Sequence, residues 1–116
     1  MKTFAGRKLS RTSSHRLALL RNMTTSLLQY ERIQTTVPKA KELVRFAEKV
    51  ITVAKKENLN AHKTVAALSL NREIKKKLFQ VLVPRYISRS GGYTQIIRTG
   101  QRAGDAAPMA VVRLIP

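Results

Sequence analysis

No carboxylate occurs between Met1 and Tyr30; the first is Glu31. The same segment carries Lys2, Arg7, Lys8, Arg11, Arg16 and Arg21, with His15 among them. Unpaired cations cannot be taken out of water into a compact interior without a large penalty. This part of the chain must therefore stay at a surface or run beyond one, and it calls for a polyanion. The rest of the sequence agrees: 23 Lys plus Arg stand against 6 Asp plus Glu, a formal net charge of +17 in 116 residues. At this size the imbalance points to phosphate backbones.

The length fits one domain, and a hydrophobic fraction of 43% is ordinary for a globular one. There is no cysteine. That removes disulfides, thiolate catalysis and the common zinc sites, and it is the usage of a reducing compartment. No apolar run approaches the roughly 18 to 20 residues of a membrane span. The basic start lacks the uninterrupted apolar stretch of a secretory signal. It has the basic, Ser/Thr-bearing character of organellar presequences, yet Arg7 to Arg16 reads as part of the mature protein.

Residues 1–12 read as an extended basic arm, and residues 13–116 as a single domain. Ser13 or Ser14 can cap a helix that runs to about Tyr30. Leu17, Leu20, Met23, Leu27 and Leu28 fall on one side at helical periodicity, with His15, Asn22, Thr25 and Gln29 on the other. From Arg32 to Val37 the pattern alternates as in a short strand. Pro38 then suits a first helical turn. Ala40, Leu43, Val44, Ala47, Val50, Ile51 and Ala54 mark the next helix, whose outer face carries Lys41, Glu42, Arg45, Glu48 and Lys49. Asn58 and Asn60 can cap a short helix from Ala61 to about Leu70. Asn71 can cap another, Arg72 to Val83, which Pro84 is expected to end. Gly91-Gly92 marks a turn before a strand from Tyr93 to Arg98. Thr99 to Pro108 reads as a loop, and Met109 to Ile115 as the last strand. The order α-β-α-α-α-β-β implies an α+β fold, two layers, with helices packed on a small mixed sheet.

Catalytic groups are scarce. Two histidines, His15 and His62, and one aspartate, Asp105, cannot easily supply a converging nucleophile, base and orienting group. No cluster of His, Asp or Glu has metal-ligand spacing, and the glycines form no phosphate loop. No metal, cofactor or small-molecule substrate is expected. The arginines are better placed for function, because a planar guanidinium grips phosphate oxygens at two points. They concentrate in the arm and after Pro84. Ser10, Thr12, Ser13, Ser14 and Asn22 add neutral donors. The free amides at the start of the first helix, near Ser14, can hold one more phosphate. Tyr93 has two readings, stacking on an exposed base or plugging the sheet edge, and both stay open. The central lysines Lys41, Lys49, Lys55, Lys56 and Lys75 to Lys77 read equally as a solvated helix face. With 5% aromatic residues, backbone contact with a folded, double-helical RNA fits better than a stacking platform.

Gly6-Arg7-Lys8-Leu9, Ser13-Ser14-His15-Arg16 and Leu20-Arg21-Asn22-Met23 resemble the start of bacterial-type ribosomal protein seventeen of the large subunit. The likeness continues through Glu31, Ile33, Thr35-Thr36, Pro38-Lys39-Ala40-Lys41-Glu42-Leu43 and Ile51-Thr52-Val53-Ala54-Lys55. It resumes at Leu78-Phe79, Pro84-Arg85, Ser88-Arg89, Gly91-Gly92-Tyr93-Thr94, Arg102-Ala103-Gly104-Asp105 and Ala107-Pro108-Met109-Ala110. The resemblance implies a structural component of the large ribosomal subunit. Such a component has an α+β fold and no enzymatic activity or cofactor. It binds large-subunit rRNA near the peptide tunnel exit, beside neighbouring ribosomal proteins. Carried over residue by residue, the RNA-facing positions are Arg7, Lys8, Arg11, Ser14, His15, Arg16, Arg21, Asn22, Lys39, Arg85, Arg89, Tyr93, Thr94 and Arg102. Three places depart from the family: Lys2 to Ala5, Asn58 to Leu70, and Arg113 with Pro116. These departures resemble an organellar, mitochondrial member, with the bacterial cytoplasm as the alternative.

Three rivals are weighed against this reading. One is a DNA-compacting protein of histone-like type. Another is a small ribonuclease using His15. The third, a binder of anionic membranes, is opposed by amphipathic helices that spend their apolar faces on a shared core.

Overall fold

The computed structural model describes residues 13–67 and 71–116. The expected arm, residues 1–12, lies outside them, as does the end of the helix expected to reach Leu70. Helix α1 (Ser13–Tyr30) leads into strand β1 (Arg32–Thr36) and helix α2 (Val37–Ala54), followed by the short helix α3 (Leu59–Ala66). Helix α4 (Arg72–Lys77), a π-helical turn (Leu78–Leu82) and helix α5 (Val83–Tyr86) form one uninterrupted rod. Strands β2 (Thr94–Gln101) and β3 (Pro108–Leu114) complete the fold. The α+β class expected from the pattern is what forms.

Each helix starts where its side chains allow. Thr36 stands before α2 in extended backbone, and Pro38 occupies its first turn, where a missing N–H costs nothing. Asn58 Oδ1 accepts from the Ala61 amide at 2.8 Å and caps α3. Asn71 Oδ1 accepts from the Ile74 amide at 2.8 Å and caps α4. Both are the short-side-chain caps that satisfy a free first-turn donor. At its far end α1 closes on Glu31, at φ 62°, whose amide donates to Leu27 O at 2.7 Å.

The expected stripe of α2 is the centre of the core: Ala40, Leu43, Ala47, Val50, Ile51 and Ala54 are buried. Leu27 and Leu28 of α1 join them, with Val65, Ile74, Leu78, Leu82, Val83 and Tyr86 from the later helices. Ala110, Val112 and Leu114 supply the sheet side. Truncating a leucine such as Leu43 here to alanine costs about 2–5 kcal/mol, from lost transfer energy and the cavity left behind.

Four expectations require correction. The sheet is antiparallel throughout rather than mixed, in the order β1-β3-β2. β1 and β2 do run the same way, but β3 lies between them, so no parallel ladder forms. Second, Pro84 does not end the helix. Val83 N–H donates to Leu78 O, five residues back. A π-turn displaces the carbonyl that a proline ring would otherwise strike, and the rod continues to Tyr86. Third, β2 extends beyond Arg98: the register passes from Arg98↔Ala110 to Gly100↔Met109, a bulge. Gly100 at φ 120° is what lets the strand resume. Fourth, Glu42 is not on the outer face of α2 but buried, at 7% exposure, 3.8 Å from the Arg45 guanidinium.

Candidate nucleic-acid interface

Helix α1 has two halves. Thr24, Leu27 and Leu28 are buried and anchor the second half. In the first half Ser14, His15, Ala18 and Asn22 face solvent. Leu17, expected inside, is 40% exposed. The acid-free segment thus reaches the surface as a helix face bearing polar donors. Arg16 lies inward at 6% exposure, against the expectation of an open cation. Arg21 is half-buried, and its Nε is enclosed without a hydrogen-bond partner. Lys39 is half-buried in the first turn of α2. Arg7, Lys8 and Arg11 lie outside the described residues.

The second group of expected residues, from Arg85 onward, is tied into the fold. Arg85 Nη1 meets Glu31 Oε1 at 2.5 Å, and Lys77 Nζ meets Glu31 Oε2 at 3.1 Å. The hydrogen bond from Arg85, helped by Lys77, holds the Glu31 carboxyl below its ordinary range. The same contact pushes the Arg85 guanidinium further up. Thr94 Oγ1 donates to Glu48 Oε2 at 2.8 Å. Arg102 grips Asp105 with two bonds, Nε to Oδ1 at 3.1 Å and Nη2 to Oδ2 at 2.6 Å. Those bonds, then the Ala107 amide, bring Asp105 down to about 2. This pair closes the β2–β3 loop, where the Ala106 amide donates to Arg102 O at 2.9 Å.

Tyr93 decides between its two readings. It is fully buried, and its ring lies 5.2 Å from that of Tyr86, centroid to centroid. Its hydroxyl receives a hydrogen bond from Lys55 Nζ at 2.9 Å. The Lys55 ammonium also donates to Arg89 O. Tyr93 is therefore a plug, and its ring has no face left for a base. Arg89 remains exposed, with Nη2 donating to Gly92 O at 3.2 Å.

Catalytic and metal groups do not gather. His15 is exposed at the start of α1, and His62 stacks on Phe79 at 4.1 Å. Among the described residues no three His, Asp or Glu side chains are grouped to hold a metal ion. No helix among them is long and apolar enough to cross a membrane. One cationic feature escaped the residue-by-residue reading. Arg32 and Arg113 are direct cross-strand partners. The parity of the two strands was the only signal for this pair, and strand order is needed to use it.

The family model described as Ribosomal protein L17 matches residues 19–115. The chain belongs to that family. This L17-family chain is 54% identical over 111 residues to the large ribosomal subunit protein bL17 of Syntrophobacter fumaroxidans, covering 96% of this chain and 74% of that protein. To the protein of the same name from Sulfurimonas denitrificans it is 54% identical over 109 residues, 94% of each. To that of Endomicrobium trichonymphae it is 50% identical over 115 residues, 99% of this chain and 98% of the other.

Proposed function

We propose that this L17-family chain is a structural constituent of the large ribosomal subunit that binds and stabilises large-subunit rRNA. One observation carries the reading: near full-length similarity to proteins named as constituents of that subunit. The charge supports it independently. Phosphates brought together by RNA folding repel one another, and guanidinium groups between them relieve the repulsion, so one RNA arrangement is favoured. Its role is structural rather than catalytic.

The contacts we assign are Arg7, Lys8 and Arg11 in a basic arm of residues 1–12, continued by Ser14, His15 and Asn22 on the solvent side of α1. Half-buried Arg21 and Lys39 and exposed Arg89 are assigned as further contacts. Arg16, Arg85, Tyr93, Thr94 and Arg102 act through the fold, because each is buried or held by an internal partner. Neighbouring large-subunit proteins near the tunnel exit complete the proposed surroundings. The relatives named above are bacterial, which favours a bacterial ribosome over the mitochondrial one that the departures Lys2 to Ala5 and Asn58 to Leu70 pointed to. Nothing in the fold favours DNA compaction.

Tagged protein sedimented through a sucrose gradient is expected to travel with the large subunit; migration only as free monomer refutes the reading. In solution, binding to an rRNA fragment that spans about 6 to 10 phosphate contacts is expected to fall roughly 10³- to 10⁵-fold between 50 and 200 mM salt. A flat response contradicts charge neutralisation.

A further inference from the structure

One face of the sheet packs on the helices and the other is only partly open: Val111, in the middle of it, is buried at 8% exposure, while Arg32, Gln34, Gln95 and Ile97 around it are exposed. Ala110, Val112 and Leu114 of β3 belong to the core, so the alternate residues Met109, Val111 and Arg113 point away from it. The register aligns three rows on that partly open face. Arg32, Arg113 and Gln95 form the first, Gln34, Val111 and Ile97 the second, and Thr36, Met109 and Gly100 the third.

The first row is physically unusual. Leu114 N–H donates to Glu31 O at 2.9 Å. That bond makes the adjoining pair, Arg32 and Arg113, a non-hydrogen-bonded one, with Cα atoms about 4.5 Å apart and side chains at their closest. Like charges placed directly opposite each other destabilise a ladder, and arginine cannot escape by losing its proton. Among the described residues neither guanidinium forms an ion pair. Arg113 Nε donates to Gln95 Oε1 at 2.8 Å, and Arg32 is exposed. An anion between the two guanidinium groups turns this repulsion into a clamp.

We propose that the partly open face of the sheet is a second rRNA-binding surface, on which Arg32 and Arg113 hold a backbone phosphate and Gln34 and Gln95 donate beside it. The proposal rests on the rRNA-binding reading above and adds a surface distinct from the solvent side of α1. RNA fits better than a protein partner. Protein interfaces are built round an apolar core, whereas two adjacent guanidinium groups suit a phosphate. Here the central strand carries Arg113, and Ile97, at 43% exposure, is the main apolar group offered.

The chain contains no cysteine, so Gln34→Cys supplies a unique thiol on this face and Asn22→Cys one on α1. Each variant is loaded with a tethered iron–EDTA probe and assembled into large subunits. The sheet probe is expected to direct rRNA cleavage at nucleotides distinct from those cut by the helix probe. The double variant Arg32→Gln/Arg113→Gln is expected to reduce the magnitude of the salt slope, log affinity against log salt, by about 0.7 to 0.9, the loss of the one clamped phosphate. Its melting temperature is expected to hold or rise, since a repulsive pair has gone. If the helix probe cuts RNA and the sheet probe cuts none, or cleaves only neighbouring protein, the sheet assignment fails and the rRNA reading stands. An unchanged salt slope or a lowered melting temperature also overturns the assignment. If neither probe cuts and the protein does not sediment with subunits, the rRNA reading itself fails.

Discussion

At Tyr93 a single phenol ties the end of α2 to the segment that opens β2, through Lys55. Tyr93→Phe removes the hydroxyl that accepts from Lys55 Nζ and donates weakly to Arg89 O at 3.5 Å, and is expected to cost about 1 kcal/mol in denaturant unfolding. Tyr93→Ala also empties a fully buried site, and about 3–5 kcal/mol is expected. Neither change is expected to alter RNA affinity once the folded fraction is accounted for; a large loss of affinity in Tyr93→Phe returns the residue to the binding surface. At this scale the sequence was only partly legible. The cationic character of Arg85 and Arg102 is visible at once, but their partners are not. Glu31 lies 54 positions from Arg85 and meets it only through tertiary folding. Asp105 is three residues from Arg102, and that near pair was within reach of a local reading. Burial of Arg16 has no local signature, because a cation on a helix looks the same whichever way the helix is rolled.

Caps and turns set the lengths of the elements. Asn71→Ala and Asn58→Ala each leave a first-turn amide without its side-chain acceptor. About 1 kcal/mol per substitution is expected, read from the urea midpoint. The Asn71 change is also expected to raise amide exchange in α4, which has only the turns from Arg72 to Lys77 before the π-turn. No loss in either variant removes the caps from the account. Helix positions and faces were legible in the sequence because the stripe of α2 repeats cleanly over its full length. The exceptions were Glu42 and Leu17, whose exposure is the reverse of that expected, and Pro84. A proline normally marks a helix end, and no residue pattern announces the π-turn that accommodates this one. The bulge after Arg98 was hidden for a similar reason, since Thr99-Gly100 has the composition of a loop.

In the whole molecule Glu31 is a junction. Its backbone closes α1 and accepts from Leu114 of β3, while its carboxylate holds Lys77 and Arg85 of the helical rod. Its folded-state pKa is lowered, so its contribution is complete above the ordinary value of 4.5 and is lost as pH falls through the lowered folded value. Glu31→Gln is expected to cost about 1 kcal/mol at neutral pH. The difference from the parent should shrink as the medium is acidified below pH 4.5, as measured by urea unfolding at a series of pH values. A gap that stays constant with pH assigns the effect to shape rather than charge. The α+β class was readable from the order of periodicities, and the acid-free start from composition alone. Strand order was not, because pairing depends on which apolar faces meet, and β1 and β2 are interchangeable as partners until β3 is placed.

β3 follows both of its neighbours in chain order and sits between them. During N-to-C synthesis on a ribosome, β1 and β2 therefore emerge with no ladder to join. The part of the α2 stripe that faces the sheet meanwhile waits for Ala110, Val112 and Leu114. A nascent chain halted before residue 108 lacks the strand that both β1 and β2 pair with, so the sheet can close only once residues 108–114 have emerged.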